Sequence, residues 1–208
     1  MPLQPKLNKF STASPLLASY NYFDVDEGTG IKIYYGAGAE NSVGIFHILT
    51  DQVVYASHKQ VETGVDATVE FDLSPFNQPK SIKGEATIEG SFDIRSTGND
   101  GANGYVTFTF AHFDGDSTYT TIGTAVTQTV SYGNTGGKAE NFLVTATLTE
   151  THFAQGEGLR ITAVLTKTGT SAGNFSMGCD PKNRDSDQLV AATNHTSLIF
   201  HIPYKLEI

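Results

Sequence analysis

The ten residues Gly178-Cys179-Asp180-Pro181-Lys182-Asn183-Arg184-Asp185-Ser186-Asp187 hold the only cysteine of the chain, with three aspartates, a lysine and an arginine. Three kinds of chemistry could use such a set. Nucleophilic catalysis by the thiol needs a base, and the nearest histidine is His195, at the start of the next predicted strand. Metal binding would ask a soft thiolate and hard carboxylates to share one ion, and these prefer different metals. The third use is architectural. Pro181 fixes its own φ, Asn183 can hydrogen-bond nearby backbone and Asp180 can cap a loop. Arg184 then has Asp185, Asp187 or a neighbour's carboxylate to pair with. Asp180, Pro181, Asn183, Arg184 and Asp185 are therefore expected to shape a connection or an interaction surface, with Asp180 and Arg184 at its centre.

Other constellations are weaker. Gly169-Thr170-Ser171-Ala172-Gly173 matches the G-x-S-x-G elbow, but the elbow needs a following helix, and NFSMGCDPKNRD is too rich in Gly, Asn and Pro to form one. Gly115-Asp116-Ser117 lacks the glycines that would shape an oxyanion hole, since Thr118 and Tyr119 follow. The six histidines (His47, His58, His112, His152, His195, His201) form no H-x-H or H-x-x-x-H pair. His195 and His201 would lie about 20 Å apart on one extended strand, too far to share a metal. His47 and His112 fall on apolar strand faces, where core packing is the ordinary role. Asp24-Val25-Asp26-Glu27, Asp114-Gly115-Asp116 and Asn99-Asp100 supply oxygen ligands in loops. They leave calcium open without matching an EF-hand. Tyr20, Tyr22, Phe23, Tyr34 and Tyr35 could stack on sugars, meet another subunit or fill the core. No catalytic constellation stands, no cofactor is called for, and the chain is expected to be non-enzymatic.

The composition narrows the partners. Over 208 residues the net charge is −9, so a phosphate backbone repels the chain and direct nucleic-acid binding is not expected. Charged residues make up 17% and hydrophobic ones 38%, so much of the surface must be Thr, Ser, Asn and Gly, which suits strands and tight turns. No apolar run is long enough to span a membrane as a helix, and Leu16-Leu17-Ala18 is too short for the apolar core of a secretion signal. Residues 1–20 carry Lys6 and Lys9, no acid, and prolines at 2, 5 and 15. They are expected to form an extended arm that is either unfolded or docked on a neighbouring subunit.

Residues 21–208 are expected to form a single all-β domain. Apolar residues alternate with polar ones at Val65–Leu73, Ala86–Ile94, Val106–Phe110, Phe142–Leu148 and Leu159–Leu165, the period of half-buried strands. Further strands are expected at 31–36, 43–49, 51–57, 118–130 and 195–206, with one short turn within 148–157. Gly, Asn, Pro and Ser punctuate 74–80, 96–104, 132–138 and 169–194. This predicts a two-sheet antiparallel sandwich of jelly-roll type with about eight to ten strands.

Three segments carry a resemblance. Phe153-Ala154-Gln155-Gly156-Glu157-Gly158-Leu159-Arg160 opens a strand, Gly178–Asp185 forms the G-x-D-P-x-N-R-D loop, and Ile202-Pro203-Tyr204-Lys205-Leu206 ends an aromatic-rich last strand. With these segments the chain resembles a group of small jelly-roll structural proteins of tailed-phage virions, many from environmental phages. The resemblance implies a capsid decoration or minor capsid/tail subunit on the particle surface, assembled in the host cytoplasm. Its partners would be other virion proteins, principally the major capsid protein, and further copies of itself, for example as a trimer. Cys179 should then be at least partly buried, because an exposed thiol in a many-copy shell is a liability. A carbohydrate-binding or adhesin-type jelly-roll module on a fibre or cell surface is the alternative.

Overall fold

The computed structural model describes residues 30–41, 44–64, 66–96, 101–133, 136–169, 173–184 and 196–205. The predicted arm, 1–20, lies outside them. In the described residues the chain forms twelve strands and no helix: β1 (Ile31–Asn41), β2 (Gly44–Thr50), β3 (Gln60–Thr63), β4 (Ala67–Leu73), β5 (Lys80–Ser96), β6 (Ala102–Phe113), β7 (Tyr119–Val126), β8 (Val130–Tyr132), β9 (Gly136–Phe153), β10 (Gly158–Thr168), β11 (Phe175–Gly178) and β12 (Ile199–Lys205). Eight of them make the jelly roll. One sheet runs β1-β12-β5-β9 and the other β4-β10-β6-β7. The antiparallel pairs β1/β12, β4/β10, β5/β9 and β6/β7 are the steps of one long hairpin rolled over on itself, which is the jelly-roll order.

The strand count exceeds the expected eight to ten for a physical reason. β3, β8 and β11 have only three or four residues, too few to show alternation. β11 falls inside 169–194, which its glycines and asparagines mark as connection. β3 pairs with β11, and β11 extends the β12 side of β5. The predicted strand at 51–57 is instead a bent connection. One pairing is also parallel: β2 joins β4 through His47↔Phe71, Ile48↔Asp72 and Leu49↔Leu73. β2 pairs antiparallel with β1 on its other edge, so it bridges the two sheets at one side of the sandwich.

The inner faces follow the alternation seen in the sequence. Phe92, Ile88 and Ala86 of β5, Phe142, Ala146 and Leu148 of β9, and Phe200 and Ile202 of β12 face Phe108 and Phe110 of β6, Ile161 and Ala163 of β10, and Phe71 of β4, all buried. Phe200 contacts Phe71 and Phe108 of the opposite sheet at centroid distances of 6.1 and 6.0 Å. Phe92 stacks on Phe142 at 5.2 Å. At the far side β7 comes down on β9 without a ladder. Gly123 makes this approach, since a Cβ there would lie 2.6 Å from Leu148 and 2.9 Å from the Thr147 carbonyl oxygen.

The outer faces differ in character. On β4 and β10 the outward residues include Glu70, Asp72 and Arg160, tied by Arg160 Nε to Asp72 Oδ1 at 2.6 Å and Arg160 Nη1 to Glu70 at 2.7 Å. On β9 they include Thr145, Thr147 and Thr149, all exposed. On β1 and β2 they are apolar: Ile31 is 63%, Ile33 42%, Phe46 43% and Ile48 36% exposed.

Candidate functional site

The loop Gly178–Arg184 closes one end of the sandwich. β11 ends at Gly178, which lies so close to Thr196 that a Cβ would meet its carbonyl oxygen at 2.6 Å. Cys179 follows, fully buried, its Sγ 3.6 Å from the His58 carbonyl oxygen and its N–H donating to Lys59 at 2.8 Å. Burial, with Asp180 next to it, pushes the thiol up to about 12. Cys179 is thus a small apolar filler and not a nucleophile. A thiol reagent at pH 8 should label it only when the protein unfolds. Rapid labelling of native protein, read by mass spectrometry, would contradict this.

Asp180 is the hub. Its side chain is 0% exposed and its carboxylate accepts five hydrogen bonds. Oδ1 takes the N–H of Ala56 at 3.4 Å, the N–H of Lys182 at 3.3 Å and Arg184 Nη2 at 3.2 Å. Oδ2 takes the N–H of Arg184 at 3.1 Å and Arg184 Nε at 2.8 Å. Burial alone would raise its pKa. The Arg184 guanidinium and these backbone donors outweigh burial and hold the carboxyl below the usual aspartate value. Asn183 takes φ of 51°, a left-handed turn that asparagine tolerates, and its Oδ1 accepts the N–H groups of Thr196 (2.7 Å) and Ser197 (3.3 Å). The Thr196 hydroxyl donates to the Arg184 carbonyl at 2.7 Å, and Asp180 N–H donates to Thr196 O at 2.8 Å. Pro181 is buried at the turn. Arg184 also donates to the Ala56 carbonyl and lies over the Tyr55 ring at 5.0 Å.

Of the five residues expected to shape this connection, Asp180, Pro181, Asn183 and Arg184 converge, and Asp185 lies outside the described residues. Arg184 was expected to pair with Asp185, Asp187 or a neighbour. Asp185 and Asp187 lie outside the described residues; among the described ones Arg184 turns back on Asp180, because the tight turn at 181–183 puts the guanidinium over the carboxylate one turn away. Sequence reasoning missed the far half of the clamp: Tyr55, Ala56 and Thr196. Ala56 is 124 residues from Asp180 and contributes only backbone, so no local pattern could mark it.

The remaining candidates serve structure. Tyr34 is core, with its hydroxyl 2.9 Å from that of Tyr204. Asp114 Oδ1 accepts the N–H groups of Asp116, Ser117 and Thr118, a loop cap that holds its pKa below normal. Gly115-Asp116-Ser117 is therefore a capped turn. His112 Nε2 lies 2.8 Å from Glu157 Oε2, with its ring edge-on to Phe153. His201 lies 2.9 Å from Glu89. His47 packs against Phe71, and burial together with His58 lowers its pKa. Ser81 and His152 are cross-strand partners bonded at 3.2 Å, but Ser81 is buried away from any substrate. Asp93, unmarked in the sequence, is fully buried beside Arg95 at 2.7 Å. Burial pushes its pKa up against the pull of the arginine. Among the described residues no three His, Cys, Asp or Glu side chains converge to hold a metal ion. The elbow-like Thr170–Ala172, the acidic run 24–27, Asn99-Asp100, Tyr20, Tyr22, Phe23 and His195 lie outside the described residues.

Two open grooves mark the surface. One, of about 520 Å³, lies between Lys32, Thr50 and Asp51 on one side and Asn77, Gln78 and Lys80 on the other. The second, of about 470 Å³, lies over Gly90 between Glu89, Asn141, Leu143 and Ile199, on the outer face of the β1-β12-β5-β9 sheet. Among the described residues, exposed aromatics do not gather in either: Tyr55 precedes β3, Tyr119 opens β7 and Phe46 lies on β2.

No protein-family model and no curated protein matches this sequence. Solved structures share its fold. A CocE/NonD family hydrolase from Staphylococcus aureus superposes with a TM-score of 0.54 at 12% identity, covering 85% of this chain and 37% of the hydrolase. A second structure of a hydrolase of that family and organism gives 0.52 at 10% identity, again over 85% and 37%. The chain thus spans little more than a third of these hydrolases, and at such identity the likeness is one of fold.

Proposed function

We propose that this chain is a non-enzymatic structural subunit of a tailed-phage virion, a capsid decoration or minor capsid/tail protein that acts by protein–protein assembly. The observation that carries the reading is the apolar outer face of β1 and β2. Ile31, Ile33, Phe46 and Ile48 stand in water there on a chain of net charge −9. Contiguous exposed apolar patches mark interaction surfaces, and acidic charge elsewhere keeps such a subunit soluble until it meets its partner. The resemblance of the loop and the terminal strand supports the virion setting. The principal partners are then the major capsid protein and further copies of this chain, at the particle surface. The hydrolase activity named for the fold neighbours has no support in the described side chains. The histidine–carboxylate pair His112–Glu157 has no hydroxyl or thiol hydrogen-bonded to it among the described residues.

The test is the state of association. Full-length protein at tens of micromolar should run as a symmetric oligomer by light scattering, or add regularly to capsids in electron micrographs. Replacing Phe46 and Ile48 with Ser should abolish that association and leave the melting temperature within a few degrees. A strict monomer that never binds particles would overturn the reading.

A further inference from the structure

The groove beside the 74–79 connection is built as a binding cleft. That connection carries the chain from β4 of one sheet to β5 of the other, so it crosses one end of the sandwich. Backbone hydrogen bonds fix it there. Phe76 N–H donates to the Glu157 carbonyl at 2.8 Å, and Gly156 N–H donates to the Phe76 carbonyl at 2.9 Å. The floor of the groove is Tyr34, Leu49 and Phe76, all buried. Polar side chains stand on both rims around a space of about 520 Å³, within the usual size of a small-molecule site.

Charge sets the groove apart. The chain carries −9 overall, yet the charged residues lining this groove are Lys32, Lys80 and Asp51, two cations against one anion. Both ammonium groups are held over tyrosine rings. Lys32 Nζ lies 5.4 Å from the Tyr34 ring centre, and Lys80 Nζ lies 5.4 Å from that of Tyr204. The two tyrosines are joined through their hydroxyls at 2.9 Å. Lys32 also meets Asp51 at 3.4 Å. These contacts preset where the two cations stand, which lowers the cost of ordering them on a ligand.

The lining decides what fits. Ammonium groups only donate, a carboxylate only accepts, and the exposed amides of Asn77 and Gln78 do both. A ligand that answers all of them carries its own carboxylate and several hydroxyls. A neutral sugar leaves the lysines without a counter-charge, and a simple carboxylate leaves Asp51 without a donor. A nucleic-acid strand is repelled by the acidic chain around the groove. An acidic peptide answers the lysines, but its backbone offers one donor per residue where a sugar ring offers a hydroxyl on most of its carbons. Tyr34 and Tyr204 are 3% and 9% exposed, so neither presents an open ring face for stacking, and recognition rests on the polar rims.

We infer that this groove binds an acidic saccharide, with the carboxylate of one hexuronate ring toward Lys32 and Lys80 and its hydroxyls toward Asp51, Asn77 and Gln78. The inference does not depend on the assembly reading above.

Titration calorimetry of the full-length chain with digalacturonate and diglucuronate tests this. One of the two should bind with a dissociation constant below about 1 mM. Its methyl ester keeps the rings and masks the charge, and should bind about tenfold more weakly. Lys80→Gln should weaken the acid by roughly tenfold. Lys83→Gln makes the same change of charge outside the groove and should cost less than about twofold at about 0.15 M salt. Asp51→Asn separates hydroxyl recognition from charge alone: it should weaken the disaccharide and strengthen acetate, which meets only the repulsion of Asp51. Each variant is read once its circular dichroism matches that of the parent. The inference is overturned if neither disaccharide binds up to about 10 mM, if the ester binds as tightly as the acid, if Lys80→Gln changes nothing, or if Asp51→Asn strengthens both ligands. A tighter complex with the tripeptide Glu-Asp-Glu than with either disaccharide also overturns it and makes the occupant an acidic peptide.

Discussion

Asp180→Ala should lower stability by about 3–5 kcal/mol, the usual cost of breaking a buried, hydrogen-bonded ion pair, and so lower the melting temperature by roughly 6–20 °C in a chain of this length. The substitution strands the N–H groups of Ala56, Lys182 and Arg184 and leaves Arg184 facing Ala56 and Tyr55 without its counter-ion. Arg184→Ala should cost less, about 1–3 kcal/mol. Its side chain is 37% exposed, and Asp180 keeps its three backbone donors. The pH dependence identifies the cause. Because the folded-state pKa of Asp180 lies below its unfolded value, its contribution is fully present above the unfolded value, near about 3.9, and is lost as pH falls through the folded one. The gap in stability between wild type and Asp180→Asn should therefore be widest near neutrality and narrow below about pH 4. Chemical denaturation across pH measures it. A gap that does not change with pH, or an Asp180→Ala protein as stable as wild type, would mean that the carboxylate does not hold the loop.

Phe200→Ala should be as damaging, at about 3–5 kcal/mol, for a different reason. Phe200 is fully buried on β12 and meets both Phe71 and Phe108 of the facing sheet. Its removal opens a cavity where the two sheets meet, and rigid strands on both sides leave little room to collapse. Phe200→Leu keeps most of the volume and should cost about 1–1.5 kcal/mol. Calorimetry should show both losses independent of pH, in contrast to Asp180. A Phe200→Ala loss under about 1 kcal/mol would mean that the sheets repack freely and that the sandwich does not rest on this contact.

The strands were legible where they are long and one-sided. Val106, Phe108 and Phe110, or Phe142, Val144, Ala146 and Leu148, alternate because one face meets the other sheet and one meets water. The sequence therefore places both ends of that choice on the page. β5 and β9 were read only in part: Ile82 is as buried as Ile88, but a bulge between Ile82 and Gly84 breaks the alternation there, and Gly136 to Asn141 offer Ala139 as their one apolar residue apart from glycine. β3, β8 and β11 were not legible, because a strand of three or four residues is held by its neighbours and not by its own pattern. Residues 51–57 hold the strand-favouring Val53, Val54 and Tyr55, yet tertiary contact wins: the Ala56 N–H is drawn to Asp180 and the segment forms no strand.

What the sequence determined by itself is the fold class, through period-two burial, and the turn at Asp180–Arg184, through proline, asparagine and a carboxylate placed to cap. It also set the balance of charge that disfavours nucleic acid. What only the tertiary structure decided is where those pieces meet. The parallel joining of β2 to β4, the apolar outer face of β1 and β2, and the partnership of Asp180 with Ala56 and of Asn183 with Thr196 all depend on which residues come side by side across many positions of chain. A sheet sets that through hydrogen-bond register, and register is a property of pairs of strands that no single strand carries.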